Sequence, residues 1–200
     1  LAPGITHILC DDVIVASTDD ILLPNQEKVV INSSIFSRPP YFVLSNDKPL
    51  PADQNKFITF GGIMDLINLT PECAALWAGL LLSIPNSRLL LYNPGNTIKK
   101  VKAKACEYFS HNGILDRIIF PKESEEEDKR RPELAEALIS SDFWESIDIF
   151  LDTFPFNCTY ENCEALWTGV PVISMKSARR SSLFGASILT AAKRLNWIAS

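Results

Sequence analysis

Between residues 151 and 174 the chain reads LDTFPFNCTYENCEALWTGVPVIS, which offers a strand, a tight polar loop, a helix and a second strand. In α/β proteins that order puts the free N–H groups of a helix N-terminus beside the C-terminal end of a strand, where phosphates and other anions bind. The polar loop between the strand and the helix runs from Thr153 to Glu161. Thr159 is placed to cap the helix that follows. Glu161 is the odd member, because a carboxylate in the first helical turn neutralises the helix dipole itself and repels a diphosphate. Lys176, Arg179 and Arg180, in SMKSARRSS after the second strand, could return positive charge to the same place. Loop cations of this kind are otherwise simply solvated.

The elements that must position these residues follow from pattern. HILCDDVIVA (7–16) is an apolar run expected to form a buried strand, and EKVVINSSIFSRPPYFVL (27–44) ends in proline-punctuated extended chain. DKPLPADQNK (47–56) is expected to be a linker or surface loop, and FITFGG (57–62) a strand that ends in a sharp turn at its two glycines. TPECAALWAGLLLSIP has a Thr70 cap, Pro71 at the first helical position and Glu72 in the first turn, so it is a helix stopped near Pro85. SRLLLYN (87–93) is a strand, IKKVKAKACEYFSHNG (98–113) a helix closed by Gly113, and RIIFPK (117–122) a strand.

ESEEEDKRRPE (123–133) holds nine charges in eleven residues and reads as a solvated loop or helix start. After the helix-like ELAEALISSDFW come the strand IDIFLDT (147–153), the helix ENCEALWTG closed by Gly169, the strand VPVISM and the helix FGASILTAAKRLN (184–196). Strands alternating with helices imply a parallel Rossmann-like sheet with right-handed crossovers and helices on both faces. Ligands of such sheets bind beyond the C-terminal strand ends, which singles out residues 61–68, 153–161 and 175–182. Trp77 and Trp167, both within helices, read as core anchors rather than sugar platforms.

Composition narrows the class of function. The chain has 200 residues, 46% of them hydrophobic and 22% charged, enough to bury a sizeable core. A net charge of −5 argues against a general nucleic-acid surface. Runs such as AALWAGLLLSI (74–84) fall short of the roughly 20 apolar residues that a bilayer span needs. The opening LAPGITHILCDD has no initiator Met, basic n-region or cleavage site, as expected of a fragment of something longer. Five scattered cysteines, an odd number, fit a reducing compartment. Cys158 and Cys163 have no His or further Cys near them in sequence to complete a metal site, and the two histidines, His7 and His111, lack a neighbouring nucleophile or acid.

Taken in order, FITFGG, LTPECAALWAGLLLSIPNSRLLL, DIFLDTFPFN, CEALWTGVPVIS and GASIL resemble the catalytic region of the O-GlcNAc transferase and SPINDLY family. The likeness is strong over residues 57–200 and weak toward the start, through THILCD and EKVVINSSIF. It implies a GT-B glycosyltransferase of the family 41 type. Residues 1–46 would end the N-terminal lobe, 47–56 would link, and 57–200 would form a nucleotide-sugar-binding C-terminal lobe, incomplete at its C-terminus. The implied chemistry is inverting and metal-independent: a Ser or Thr hydroxyl of a protein displaces the nucleoside diphosphate of a donor, expected to be UDP-linked. No cofactor is implied beyond that donor substrate. The implied location is cytoplasmic or otherwise intracellular, and the protein acceptor would be docked by a region outside this chain, commonly helical repeats, none of which is visible here.

Carried over by position, the family's donor-contacting Gln or Asn falls at Asp65, its diphosphate Lys at Asn68 and its His at Ser140. Its paired threonines fall at Tyr160 and Glu161, and its Arg before G-x-S-L-L at Leu183. Thr159 retains the first of the threonines, Glu164 matches an acidic position that bonds ribose hydroxyls, and Thr153 and Asn157 also fit. The bland alternative for Glu164 is a solvated residue of the first helical turn. The candidate donor-binding set is therefore Thr153, Asn157, Thr159, Glu164, Asp65, Asn68, Lys176 and Arg180, with no catalytic residue assigned. Three kinds of protein fit: an active protein Ser/Thr glycosyltransferase, a degenerate member acting as a binding or scaffolding module, and a sugar transferase with another acceptor.

Overall fold

The computed structural model describes residues 7–15, 27–31, 33–36, 49–93, 99–121 and 141–200. The charged run 123–133 and Ser140 lie outside them. The chain packs as two compact units, one of Leu1–Pro39, Asp152–Trp167 and Val172–Ser200, the other of Pro40–Leu151 and Thr168–Pro171.

The second unit is built on strands β3 (Ile58–Ile63), β4 (Ser87–Tyr92), β5 (Ile118–Ile119) and β6 (Ile149–Leu151), all parallel, in the order β5, β4, β3, β6. Ile58 lies opposite Ser87 and Ile63 opposite Tyr92. Helix α3 (Pro71–Ser83) starts as its sequence demands, with the Thr70 hydroxyl accepting from the Cys73 N–H at 3.2 Å. It buries Cys73, Ala74, Trp77, Ala78 and Leu81, one stripe at helical spacing, in a core shared with Phe60, Leu89, Leu91 and Phe109 of helix α4 (Lys99–His111). Each fully buried side chain of this size contributes roughly 1.5–3 kcal/mol of hydrophobic stabilisation.

Two local expectations change in this unit. Strand β3 runs through Gly61 and Gly62 instead of turning there. A Cβ on Gly61 would overlap the Ile147 side chain and press on Phe143, so the glycine admits close packing rather than a bend. The supposed linker contains a short helix, α2 (Pro51–Asn55), with Pro51 in its first turn. Asp148 explains it: its two carboxylate oxygens each accept at 2.8 Å, one from the Ala52 N–H and one from the Thr59 N–H, tying α2 to the start of β3. Helix α5 (Ser141–Glu145) adds Phe143 and Trp144, the latter edge-on to Phe150 at 5.3 Å.

The first unit holds a parallel pair, β1 (His7–Asp11) and β2 (Glu27–Ile31), and a second parallel pair, β7 (Val172–Met175) and β8 (Ile198–Ala199). The expected long strand over 7–16 stops at Asp11, and residues 12–15 form a helical turn, α1 (Asp12–Val15). The Asp11 carboxylate causes the switch by accepting from the N–H groups of Val13 at 3.1 Å and Ile14 at 3.0 Å. Its other oxygen accepts from the Ser187 hydroxyl at 2.6 Å and the Ile35 N–H at 3.3 Å, so one buried carboxylate joins three segments. Helices α6 (Tyr160–Trp167) and α7 (Phe184–Ala191) complete the unit. Helix α7 ends earlier than expected, with Lys193 left-handed at φ 57° and the Arg194 N–H bonded back to the Leu189 carbonyl at 2.8 Å. Trp77 is the core anchor expected of it, but Trp167, at the end of α6, is 61% exposed.

Candidate functional site

The segment from Asp152 to Thr159, between β6 and α6, is held from inside by Asp152. One carboxylate oxygen accepts from the Thr153 N–H at 2.9 Å and the Cys158 N–H at 2.7 Å, and the other accepts from the Ser174 hydroxyl of β7 at 2.6 Å. Asp152 is 5% exposed, and burial pushes its carboxyl up from 3.8 to about 7, against the downward pull of those donors and of the Asn162 side chain. Gly185 of α7 closes the arrangement, since a Cβ there would overlap both the Ser174 hydroxyl and the Asp152 carboxylate.

A second loop, residues 176–183, is laced to the first. The Asn157 N–H donates to the Ser181 carbonyl at 2.9 Å, and the Ser181 hydroxyl donates to the Pro155 carbonyl at 3.1 Å. The Asn157 side chain donates to the carbonyls of Thr153 at 2.9 Å and Met175 at 3.5 Å, while its oxygen accepts from the Gly185 N–H at 3.3 Å. The Thr153 hydroxyl donates to the Phe156 carbonyl, and the Phe154–Pro155 peptide is cis. Ser182 stitches the second loop internally, donating to the Arg179 carbonyl at 2.6 Å and accepting from the Ser177 N–H at 3.1 Å.

Of the candidate residues, Thr153 and Asn157 thus act as braces within the loops. Thr159 stands just ahead of α6, its carbonyl accepting from the Cys163 N–H at 3.4 Å. Glu161 is half-buried in the first turn, and Glu164 is 3% exposed, so it is not a solvated helix residue. Burial, with the charges of Asp152 and Glu161, holds the Cys158 thiol well above its usual range. Burial, with Glu161 and Glu164, pushes Cys163 up to about 11. Neither thiol has the depressed pKa of a reactive cysteine. Lys176 is exposed and Arg180 half-buried, both on the second loop. Asp65 and Asn68 belong to the other unit, where the Asp65 carboxylate caps the turn Leu66–Asn68 by accepting from the Ile67 N–H at 3.1 Å, and Asn68 is exposed. His7, exposed, lies 3.7 Å from the exposed Glu27. No cluster of His, Cys, Asp and Glu among the described residues could hold a metal ion, and no helix among them is long and apolar enough to cross a membrane.

Sequence reasoning passed over Asp152 and Ser174, the pair that organises the loops. The available signal was an Asp that ends an apolar strand and opens a tight turn, followed by a Ser within the next strand.

Comparison with known proteins places this architecture. No family model matches the chain. Over 146 residues it is 31% identical to an Arabidopsis thaliana protein named "Probable UDP-N-acetylglucosamine--peptide N-acetylglucosaminyltransferase SPINDLY", a match over 71% of this chain and 15% of that protein. It is 32% identical, over the same share of this chain, to the protein of the same name from Hordeum vulgare. The chain is related to the SPINDLY-like O-GlcNAc transferases. It spans about 15% of the length of the curated relatives it matches. The fold agrees: a Thermobaculum terrenum O-GlcNAc transferase mutant superposes with a TM-score of 0.68 at 21% identity, over 97% of this chain and 34% of that one. The architecture is that of the GT-B glycosyltransferases.

Proposed function

We propose that the loops 152–159 and 176–183 form the diphosphate side of a nucleotide-sugar site, and that the whole protein transfers a sugar from a UDP-linked donor to a Ser or Thr hydroxyl of a protein. The acceptor hydroxyl attacks the anomeric carbon, the bond from that carbon to the diphosphate oxygen breaks, and UDP leaves with the electron pair. The reading is of an inverting, metal-independent transfer in an intracellular compartment, where the free cysteines stay reduced. Without a metal, the leaving charge falls to hydroxyls, helix N-terminal amides and cations. The observation that carries this reading is the lacing of the two loops, which sets the basic segment 176–180 against the approach to α6 within one unit. The relationship to SPINDLY-like transferases over 146 residues supports it.

Glu161 favours a second reading, a degenerate transferase that serves as a binding module, because its carboxylate occupies the first turn where a diphosphate would dock. Calorimetry on the full-length protein with UDP, UDP-sugars and GDP-sugars separates the two. Absence of binding at millimolar nucleotide would overturn the transferase reading. Where binding occurs, Lys176→Ala and Arg180→Ala should each weaken it about fivefold and Glu161→Thr should strengthen it by a similar factor. Unchanged affinity in all three would move the nucleotide away from these loops.

A further inference from the structure

One buried carboxylate joins groups from three places around the first loop. Asp152 accepts from the amides of Thr153 and Cys158, which bracket the turn, and from the hydroxyl of Ser174 on β7. On α7, Gly185 leaves the room that the carboxylate and the serine fill. From α6, Asn162, fully buried, donates to the Cys158 carbonyl at 2.7 Å. The loop's other bonds, from Thr153 to the Phe156 carbonyl, from Asn157 to the Thr153 carbonyl and from the Gly185 N–H to Asn157, close the same turn through neutral acceptors.

We propose that Asp152 is a positioning residue: its carboxylate sets the shape of the 153–158 turn and, through it, the placement of the α6 N-terminus on which nucleotide binding depends. The second half of the proposal rests on the donor-site reading above; the first half does not. The physical basis is directional. A carboxylate accepting several N–H and O–H bonds in a low-dielectric interior holds its donors more tightly than neutral acceptors do, and removing it strands them. Since the carboxyl titrates near 7, the pin is ionised above neutrality and protonated below it. A protonated oxygen can no longer accept from every donor. The titratable groups around it are the Cys158 thiol on its own loop and Glu161 and Glu164 on α6, whose charges act on Cys158 and Cys163; Ser174 of β7 and Gly185 of α7 bring no charge.

Two measurements on the full-length protein test this. Backbone hydrogen exchange should rise about tenfold or more for the segment 153–158 in Asp152→Asn, with β3 and β4 as protected as in the wild type. Unchanged exchange in the segment, or equal loss of protection across β3 and β4, would overturn the proposal. UDP affinity at pH 8 should fall about tenfold in Asp152→Asn, and the change in affinity between pH 6 and pH 8 should shrink relative to wild type. If Asp152→Asn does not fold, Ser174→Ala removes one of the donors and should raise exchange in the segment by a smaller factor; no rise overturns the proposal. Wild-type protein that binds no UDP, with the exchange result intact, removes the donor-site reading and keeps the loop pin. Wild-type protein that binds UDP as tightly as a loosened Asp152→Asn variant overturns the link from pin to binding.

Discussion

Phe60, Trp77, Leu81, Leu89 and Phe109 of the second unit are buried against one another, whereas the first unit buries Asp11, Asp152, Asn162, Glu164, Ser174 and Ser187. Apolar burial is non-directional and scales with area, so it tolerates sliding and repacking. Buried carboxylates and hydroxyls work only at fixed distances and angles, and each unmet partner is costly. The second unit therefore serves as a frame, and the first holds its loops in one shape at some cost in stability. The polar-centred unit also carries six of the eight candidate donor-site residues, Asp65 and Asn68 being the exceptions. That distribution fits a site in which charge must meet charge.

The largest effect that tests this contrast is in the frame. Trp144, almost fully buried between Phe143 and Phe150, should cost about 3–5 kcal/mol when replaced by Ala, as read by urea unfolding. A loss below about 1 kcal/mol would mean that the second unit does not depend on its apolar packing. The next effect belongs to the polar unit. With the Asp152 carboxyl near 7 in the folded state and 3.8 unfolded, the folded state keeps a proton that the unfolded chain releases. The stability this contributes is complete below the unfolded value and lost as pH rises through about 7. Unfolding free energy should therefore fall by about 2.5 kcal/mol between pH 5 and pH 8, relative to Asp152→Asn measured in parallel. Parallel curves for the two proteins would remove Asp152 from the pH dependence. Smaller still is Gly185→Ala, which places a methyl group into Ser174 and Asp152 and should cost about 2 kcal/mol by thermal melting. A neutral outcome would show that the Asp152 cluster can open without loss.

Protonation of Asp152 acts in opposite directions on the fold and on the loop. Protonating Asp152 relieves a buried charge and stabilises the fold, yet the same proton removes an acceptor from the turn beside α6. A polar site that keeps a costly carboxylate for its geometry is the expected form of a stability and function trade-off.

Legibility in the sequence followed the same division. The stripe Cys73, Ala74, Trp77, Ala78, Leu81 and the cap at Thr70 could be read directly, because local spacing and a side chain three residues away decide them. The end of the first strand at Asp11 is not legible in the sequence, because the apolar letters of VIVA suit strand or helix alike and the Asp11 carboxylate that chooses is itself held by Ser187, 176 residues away. Gly61 and Gly62 looked like a turn because two glycines usually are one; Ile147 and Phe143, distant in sequence, required the small residue instead. The rule of strand ends points to the candidate loops but not to their braces: the bonds of Asn157 to Met175 and Gly185 depend on segments brought together only by folding.

By itself the amino-acid sequence determined the alternation of strands and helices, the capped and apolar face of α3 and the family resemblance, since all rest on residue type and near-neighbour spacing. Only the tertiary structure decided which polar groups are buried and with whom. Asp152, Ser174 and Gly185 are ordinary letters in sequence, and they become one cluster because a carboxylate removed from water must find its donors wherever the packed chain supplies them.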